Sequence, residues 1–186
     1  QDETPRILDQ FAQGYDHLKV THLSELPPGW LGKPHALTQA YQQATGQWLL
    51  FTDADVHFKP DLLKRSLSLA LAQGWDHVTL FPFGELEGFW EKTAITYWVG
   101  TFAVGLKPWR VSHPKAKEYV GVGAFQLVRR STYEAIGTHQ RLAMEVVEDV
   151  KLGKLVKLGG FRSGVALGGE RLHIRWVEGL GEYVRN

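Results

Sequence analysis

Two aspartates separated by one residue follow an apolar segment and are the clearest candidates for chemistry in this chain. The segment Trp48-Leu49-Leu50-Phe51-Thr52 has the pattern of a buried strand and leads directly into Asp53 and Asp55. Open α/β sheets bind ligands at the carboxyl ends of their strands, and carboxylate oxygens suit Mg²⁺ or Mn²⁺. The pattern therefore predicts a divalent cation at Asp53 and Asp55 that holds a diphosphate.

Two other interpretations of the aspartate pair stay open. Aspartates often start turns and cap helices, so the pair could form a turn without a ligand, although two acids at a sheet edge are costly to place without a cation. Haloacid-dehalogenase-type phosphatases also place two aspartates in this spacing after an apolar strand, which would make Asp53 a nucleophile. Those enzymes have a small Thr or Val two residues later, where this chain has His57.

Lys33 is a candidate anion-binding group. It follows Gly32 at the predicted start of a helix, where backbone N–H groups and an ammonium can hold an anion together. The segment lacks the spacing of a P-loop. An ordinary solvated lysine explains Lys33 equally well on its own, and the predicted diphosphate site one strand later favours the binding role.

The acids Glu148 and Asp149 stand at the start of another predicted helix. Acids in a first turn usually complement the helix dipole, and this is the simplest explanation for both. A carboxylate held at a helix start beside a polar crevice could also deprotonate a hydroxyl nucleophile.

Near the end of the chain, Gly168 and Gly169 precede a basic, aromatic segment that includes His173, Arg175 and Trp176. A glycine pair before cations and an indole is typical of a loop that closes over a phosphate and a sugar. An ordinary basic strand explains the segment nearly as well. His173 is more often a packed or hydrogen-bonded histidine than a metal ligand.

Helices and strands alternate along the chain up to Pro82. Such alternation predicts parallel strands joined by right-handed crossovers, with helices on both faces of the sheet. The predicted fold is therefore α/β, with a doubly wound, mostly parallel sheet. Caps, apolar spacing and glycine stops predict helices over 4–14, 34–44, 61–73, 131–136 and 148–158, and strands over 17–23, 48–52, 77–81, 124–128 and 161–167.

The composition indicates one globular domain over residues 1–186, with 44% hydrophobic and 22% charged residues. A net charge of +1 without a basic cluster argues against nucleic acid as a partner. The absence of cysteine excludes disulfides and thiolate metal sites.

The apolar, aromatic segment Ile95 to Leu106 is too short to span a bilayer. Most runs of this length are buried, so a core helix followed by a basic loop is the favoured interpretation. The alternative is a segment that lies in a membrane interface.

Five motifs taken together resemble those of family 2 glycosyltransferases, and within that family the membrane-associated branch of hopanoid-associated glycosyltransferases and ceramide glucosyltransferases. Any one motif is weak, but five in the right order are specific, and they extend over nearly the whole chain. The motifs are Gly32-Lys33-Pro34-His35-Ala36-Leu37, Phe51-Thr52-Asp53-Ala54-Asp55, Gly121-Val122-Gly123-Ala124-Phe125, Glu148-Asp149-Val150-Lys151-Leu152-Gly153 and Arg175-Trp176.

The resemblance implies a GT-A fold that binds a nucleotide-sugar, such as a UDP-sugar, and transfers the sugar with inversion. It implies that Asp53 faces the nucleoside and Asp55 holds Mg²⁺ or Mn²⁺ on the diphosphate. It also implies that Asp149 is the general base and that Glu148, in the same motif, is a substrate- or nucleotide-binding residue. It further implies that Lys33 lies beside the nucleotide. Arg175 and Trp176 match the pair that helps to bind the diphosphate and the acceptor end of the site.

This chain departs from the family pattern in two places. The family usually begins with a strand and an acidic turn that bind the nucleobase, and this chain starts after them, so the first strand is expected to be missing. A longer pattern that ends in the Arg-Trp pair has Leu172 in its first place, with Arg171 as the nearest arginine.

The expected function is therefore that of an inverting, metal-dependent glycosyltransferase. Its expected acceptor is a lipid or a lipid-linked hydroxyl at the cytoplasmic face of a membrane, and the chain is expected to be the soluble core of a longer membrane-associated protein. A catalytically silent nucleotide-sugar binding module is the alternative from another functional class.

Overall fold

Five strands form one mixed sheet in the computed structural model, which describes residues 3–84 and 88–174 without the side chains of 91 and 98. The strands lie in the order β1-β4-β3-β5-β2. Their bounds are β1 Trp48–Phe51, β2 Val56–Phe58, β3 His77–Gly84, β4 Gln126–Arg129 and β5 Ser163–Ile174.

Six α-helices accompany the sheet in the described part of the chain. They are α1 Thr4–Gly14, α2 Gly32–Gln43, α3 Leu62–Gln73, α4 Phe89–Leu106, α5 Arg130–Ala135 and α6 Glu148–Leu158. Local signals account for several ends: Pro5 lies in the first turn of α1, and Gly74 ends α3 in the left-handed conformation with φ of 62°. The five helices predicted from caps, apolar spacing and glycine stops are confirmed to within about two residues at each end.

The strand pairing confirms the α/β class and corrects the predicted mostly parallel sheet. β3 pairs with β5 in parallel, whereas β4 runs antiparallel between β1 and β3, and β2 runs antiparallel to β5. β1, β3 and β5 therefore share one direction, as the alternation predicted. The connection into β4 passes through α4 and a long loop, and it returns the chain in the opposite direction.

The core lies on both faces of the sheet because consecutive strand residues point to opposite sides. Leu49 of β1 packs with Tyr133 of α5 and Leu152 of α6 on one face. On the other face, Leu127 of β4 packs with Leu62 of α3. Helices thus cover both faces, which confirms that part of the predicted architecture.

Two local predictions are wrong. Residues 17–23 form no strand, since they pair with no other strand of the described chain. The expected loop at Gly168 and Gly169 lies instead within β5, whose register against β3 shifts beside Pro82. A proline cannot donate to a strand ladder, so it is found where pairing is interrupted.

Helix α4 contains the predicted segment Ile95 to Leu106, but it is not a core helix. Phe89 is 74% exposed, Tyr97 75% and Val104 69%. The favoured interpretation, a buried helix, is therefore wrong for these side chains. Among the described residues, no helix combines the length and the apolar character needed to cross a bilayer.

Candidate active site

Three backbone segments bring the predicted acidic and basic groups together. Asp53 follows the carboxyl end of β1, Lys33 lies in the first turn of α2, and Glu148 and Asp149 start α6. All four side chains are within one site, although the sequence separates them widely. Lys33, Glu148 and Asp149 line one pocket together with Thr52 and Gly123.

Lys33 is the cation at the centre of this site. Its Nζ donates to Asp53 Oδ1 at 2.5 Å and lies 2.7 Å from Glu148 Oε1. The Lys33 side chain is 46% exposed, whereas that of Glu148 is 5% exposed. A buried carboxylate of this kind needs a paired cation, so Glu148 holds the ammonium beside Asp53.

The environment of Lys33 keeps it charged. Partial burial opposes the charged form, but the hydrogen bonds to Asp53 and Glu148 outweigh it and raise the pKa of Lys33 above its usual value. The ammonium is thus available near neutral pH to bind an anionic group that enters from the exposed side.

Asp149 is held in one orientation by backbone groups. Gly123 N–H donates to Asp149 Oδ2 at 2.8 Å, and Val150 N–H donates to Oδ1 at 2.7 Å. Gly123 also accepts a hydrogen bond from Asp53 N–H at 3.0 Å, so one residue joins the two acidic segments. The Asp149 carboxylate is half-buried and lines the pocket.

Close backbone approach explains the glycines of the segment before β4. A Cβ at Gly121 would lie 1.8 Å from the carbonyl oxygen of Asp149, and one at Gly123 would lie 2.4 Å from Asp53 Oδ2. Neither position has room for a side chain. The Gly121-Val122-Gly123 motif therefore allows the first turn of α6 and the end of β1 to meet.

Asp53 and Asp55 suit a divalent cation only if substrate phosphates and waters supply the other oxygen ligands. Asp55 is exposed, and Asp53 is paired with Lys33. The described residues contain no group of three or more His, Cys, Asp or Glu side chains that could hold a metal. Mg²⁺ is commonly bound by one or two carboxylates with substrate phosphates and waters, and this pair matches that arrangement.

The remaining predicted residues are not placed in the pocket. Arg175 and Trp176 lie outside the described residues. His173 does not join the pocket, and its Nε2 donates to the carbonyl oxygen of Glu170 at 2.7 Å.

Two lining residues lie outside the motifs quoted from the sequence, namely Gln126 and His139. Gln126 Nε2 donates to the carbonyl oxygen of Asp149 at 3.2 Å, and His139 is 1% exposed. Gln126 directly follows the motif Gly121 to Phe125, and this proximity is the sequence signal from which its place in the site could have been predicted. His139 has a weaker signal, a Gly-Thr turn before it.

Comparison with known families gives one match. Residues 1–137 match the model of glycosyl transferase family 2. No curated protein sequence matches the chain at a significant level. Glu148 and Asp149 lie beyond the matched residues.

Solved glycosyltransferases share the fold. The mannosyltransferase PcManGT from Pyrobaculum calidifontis, solved with GDP-Man and Mn²⁺, gives a TM-score of 0.70 at 17% identity, over 100% of this chain and 47% of that one. TarS from S. aureus gives 0.58 at 18% identity, over 94% of this chain and 29% of that one. A shorter TarS chain, residues 1-349 with UDP-GlcNAc, gives 0.55 at 18% identity, over 96% and 48%.

These similarities confirm the predicted GT-A-type α/β fold. Their identities are too low to carry residue roles from one protein to another. The chain also spans less than half of the length of each of these proteins.

Proposed function

Because this chain belongs to glycosyl transferase family 2, we propose that it transfers a sugar from a nucleotide-sugar to an acceptor hydroxyl with inversion at the anomeric carbon. One observation carries the proposal. The oriented carboxylate of Asp149 lines the same pocket as the charged Lys33, which is itself paired with Asp53.

Asp149 is proposed as the general base. Its carboxylate takes the proton of the acceptor hydroxyl while the hydroxyl oxygen forms a bond to the anomeric carbon. The bond from that carbon to the diphosphate oxygen breaks on the opposite side, and the nucleoside diphosphate leaves with the electron pair. The N–H groups of Gly123 and Val150 support this role, since they fix the orientation of the carboxylate.

Lys33 is proposed to bind the diphosphate. Its ammonium is about half exposed and held by Glu148, so it can contact an incoming phosphate without being fully desolvated. Asp53 is proposed to face the nucleoside, and Arg175 and Trp176 to contact the diphosphate and the acceptor. A UDP-sugar is the proposed donor. Because similar structures were solved with GDP-Man and with UDP-GlcNAc, both nucleotides belong in the assay.

Asp53 and Asp55 are proposed to hold Mg²⁺ or Mn²⁺. When bound, such an ion would neutralise the negative charge that develops on the leaving diphosphate. The exposure of Asp55 supports this role, because a carboxylate that faces solvent can reach a metal brought by the donor. The Mn²⁺ in the mannosyltransferase complex is consistent with it.

A lipid or lipid-linked acceptor at the cytoplasmic face of a membrane is proposed from the exposed apolar helix α4. Phe89, Trp90 and Tyr97 are each at least 66% exposed on this helix. The proposal assigns the chain to the membrane-associated branch, as the catalytic domain of a longer protein. Flotation with anionic vesicles tests it: the wild-type chain should float, and a Phe89→Ser/Trp90→Ser/Tyr97→Ser variant should stay at the bottom. Equal behaviour of both would rule out α4 as the lipid contact.

The enzyme is distinguished from a silent binding module by two measurements on the same protein. Calorimetry with UDP-GlcNAc and GDP-mannose in Mn²⁺ measures donor binding, and an assay of released nucleoside diphosphate measures turnover. We expect binding of one donor and its slow hydrolysis. Asp149→Asn should keep the affinity within about threefold and lower turnover by about 10²–10⁴-fold, the usual contribution of a general base.

Glu145→Gln is the matched control, because Glu145 lies near α6 and pairs with the half-exposed Lys151 outside the pocket. Its turnover should equal that of the wild type. Donor binding without any turnover in the wild type would support the silent module instead. Turnover of simple phosphate esters, with a phosphoaspartate at Asp53, would support the phosphatase.

A further inference from the structure

His139 is a pocket residue that the proposed chemistry does not use. It lies in a short 3₁₀ turn, His139–Leu142, between α5 and α6. Its side chain is 1% exposed, yet it lines the pocket together with Lys33, Glu148 and Asp149. A histidine so placed either completes the packing beneath the pocket or presents a ring nitrogen to a ligand.

The hydrogen bonds around Tyr133 determine which ring nitrogen of His139 carries the proton. The backbone N–H of His139 donates to Tyr133 Oη at 3.0 Å, and Tyr133 Oη lies 2.6 Å from His139 Nδ1. Burial raises the pKa of Tyr133 to about 12, so the hydroxyl keeps its proton. The hydroxyl therefore donates to Nδ1, and the proton of the neutral imidazole lies on Nε2.

The second ring nitrogen has no hydrogen-bond partner among residues 3–84 and 88–174. Burial, with a smaller contribution from the charge of Lys33, lowers the pKa of His139 to about 4. The imidazole is thus a neutral donor at physiological pH. An N–H that no described protein group accepts from gains a hydrogen bond when a ligand places an acceptor oxygen beside it.

The neighbouring backbone and rings hold the His139 ring in place. Thr138 has φ of 59° and ψ of −170°, a conformation that β-branched residues rarely adopt. The His139 ring also packs edge to face against Phe51 at a centroid distance of 4.8 Å. Strain of this kind persists only where the surroundings hold the chain in place, and here it positions His139.

The charges of the pocket decide which kind of oxygen His139 can bind. Lys33 is already shared between Asp53 and Glu148, and Asp149 adds a further carboxylate. The diphosphate is proposed to bind Lys33, the cation of this pocket, whereas His139 offers only a neutral N–H. Beside these carboxylates a second anionic group at His139 would be repelled, and a neutral hydroxyl oxygen would not.

Resting on the proposed function, we propose that His139 Nε2–H donates a hydrogen bond to a hydroxyl group of the bound nucleotide-sugar, and that Tyr133 holds the ring in the donating tautomer. The hydroxyl belongs either to the ribose or to the transferred sugar. His139 is thus a donor-binding residue, and Tyr133 is a positioning residue.

Calorimetry on the full chain distinguishes a ribose hydroxyl from a hydroxyl of the transferred sugar. The ligands are UDP and UDP-GlcNAc, or GDP and GDP-mannose if the wild type binds the guanine pair. His139→Phe, which keeps a ring but no N–H, should weaken binding about tenfold. An equal loss for the nucleotide and the nucleotide-sugar assigns the ribose, and a loss confined to the nucleotide-sugar assigns the sugar.

Further variants distinguish a binding role from a packing role. His139→Gln keeps an N–H donor and should recover most of the affinity. Tyr133→Phe should bind the donor about threefold more weakly. The control Tyr41→Phe should bind it as the wild type does, because the Tyr41 hydroxyl bonds to Glu134 and Arg130, which do not line the pocket. If His139→Phe folds and binds every ligand as tightly as the wild type does, the inference is wrong while the proposed function stands.

A measurement on the unmodified protein keeps the inference testable if His139→Phe does not fold. Histidine ¹⁵N spectra should show Nε2 protonated and Nδ1 unprotonated, with the Nε2 resonance shifting when the donor binds. A proton on Nδ1, or no shift on saturation, would overturn the inference. A wild-type protein that binds neither nucleotide-sugar would overturn the proposed function, and the inference with it.

Discussion

His77 and His139 are both buried and neutral, but they differ in how many of their ring nitrogens the protein satisfies. His77 Nδ1 lies 2.7 Å from Ser163 Oγ, and His77 Nε2 lies 2.9 Å from Gln126 Oε1. Within the described part of the chain, His139 has a hydrogen-bond partner on Nδ1 alone. Burial lowers the pKa of both rings to about 4, so a perturbed pKa by itself does not separate a structural histidine from one that serves a ligand.

Gln126 connects the sheet histidine to the site. Its Oε1 accepts from His77, and its Nε2 donates to the carbonyl oxygen of Asp149 at 3.2 Å. The fully paired His77 therefore stabilises the sheet beneath α6, whereas the half-paired His139 faces the pocket. The comparison implies that changes at His77 lower stability and that changes at the pocket lower donor binding.

The largest expected effect is at the pocket. Lys33→Met removes two charge-assisted hydrogen bonds and the cation proposed to contact the diphosphate. Donor affinity should fall about a hundredfold, since such interactions contribute about 1.5–3 kcal/mol each. Calorimetry with the donor measures it, and Lys151→Met is the control because its partner Glu145 lies outside the pocket. Equal donor affinities for Lys33→Met and the wild type would contradict the claim that changes at the pocket lower donor binding.

The second effect is on stability. His77→Phe leaves the Ser163 hydroxyl and the Gln126 amide oxygen unpaired in the sheet, which should lower the free energy of unfolding by about 2 kcal/mol. Urea unfolding measures the loss, and Ser163→Ala should give roughly half of it. Donor affinity should stay within twofold of the wild type. A tenfold loss of affinity with unchanged stability would contradict the distinction between the two histidines.

The smallest effect is on the pH dependence of stability. Below pH 6.5 the unfolded chain protonates both histidines, whereas the native rings stay neutral until about pH 4, so stability falls as the pH drops through this range. Between pH 7.5 and 5.5 each histidine should contribute about 1 kcal/mol to the loss. Urea midpoints at the two pH values measure it. His77→Phe and His139→Phe should each flatten the dependence, and a wild-type stability that rises toward pH 5.5 would refute this account.

Helices with local start and stop signals could be predicted from the sequence. α1 has Pro5 in its first turn, α3 ends at Gly74, and α6 repeats apolar residues up to Leu158. Each signal acts within a few residues, so no tertiary information is needed. Helix α2 starts at Gly32, two residues before the predicted start, so Lys33 lies in its first turn rather than just before it.

The direction of the strands could not be predicted in this way. An apolar run such as Gln126–Arg129 has the same pattern in a parallel and in an antiparallel pair, and its direction depends on the path of the preceding chain. The short strand Val56–Phe58 was missed because it follows the acidic pair directly and is half exposed. Residues 17–23 have strand-like composition but pair with no strand among the described residues.

Some residues of the site could likewise be predicted from the sequence, and others could not. Asp53, Lys33, Glu148 and Asp149 were predicted, partly from residue chemistry and partly from family resemblance, and the structure brings them together. His139 was missed because its role depends on Tyr133 and on the strained turn at Thr138. The Tyr133 hydrogen bond and the conformation of Thr138 depend on three-dimensional contacts rather than on a residue pattern.

The most direct test of the central claim is a crystal structure with Mn²⁺ and the nucleotide-sugar that the protein binds in solution. We predict that the diphosphate contacts Lys33, that the metal contacts Asp53 or Asp55, and that Asp149 faces the anomeric carbon on the side opposite the leaving oxygen. A donor bound elsewhere, or an Asp149 carboxylate turned away from the sugar, would contradict it.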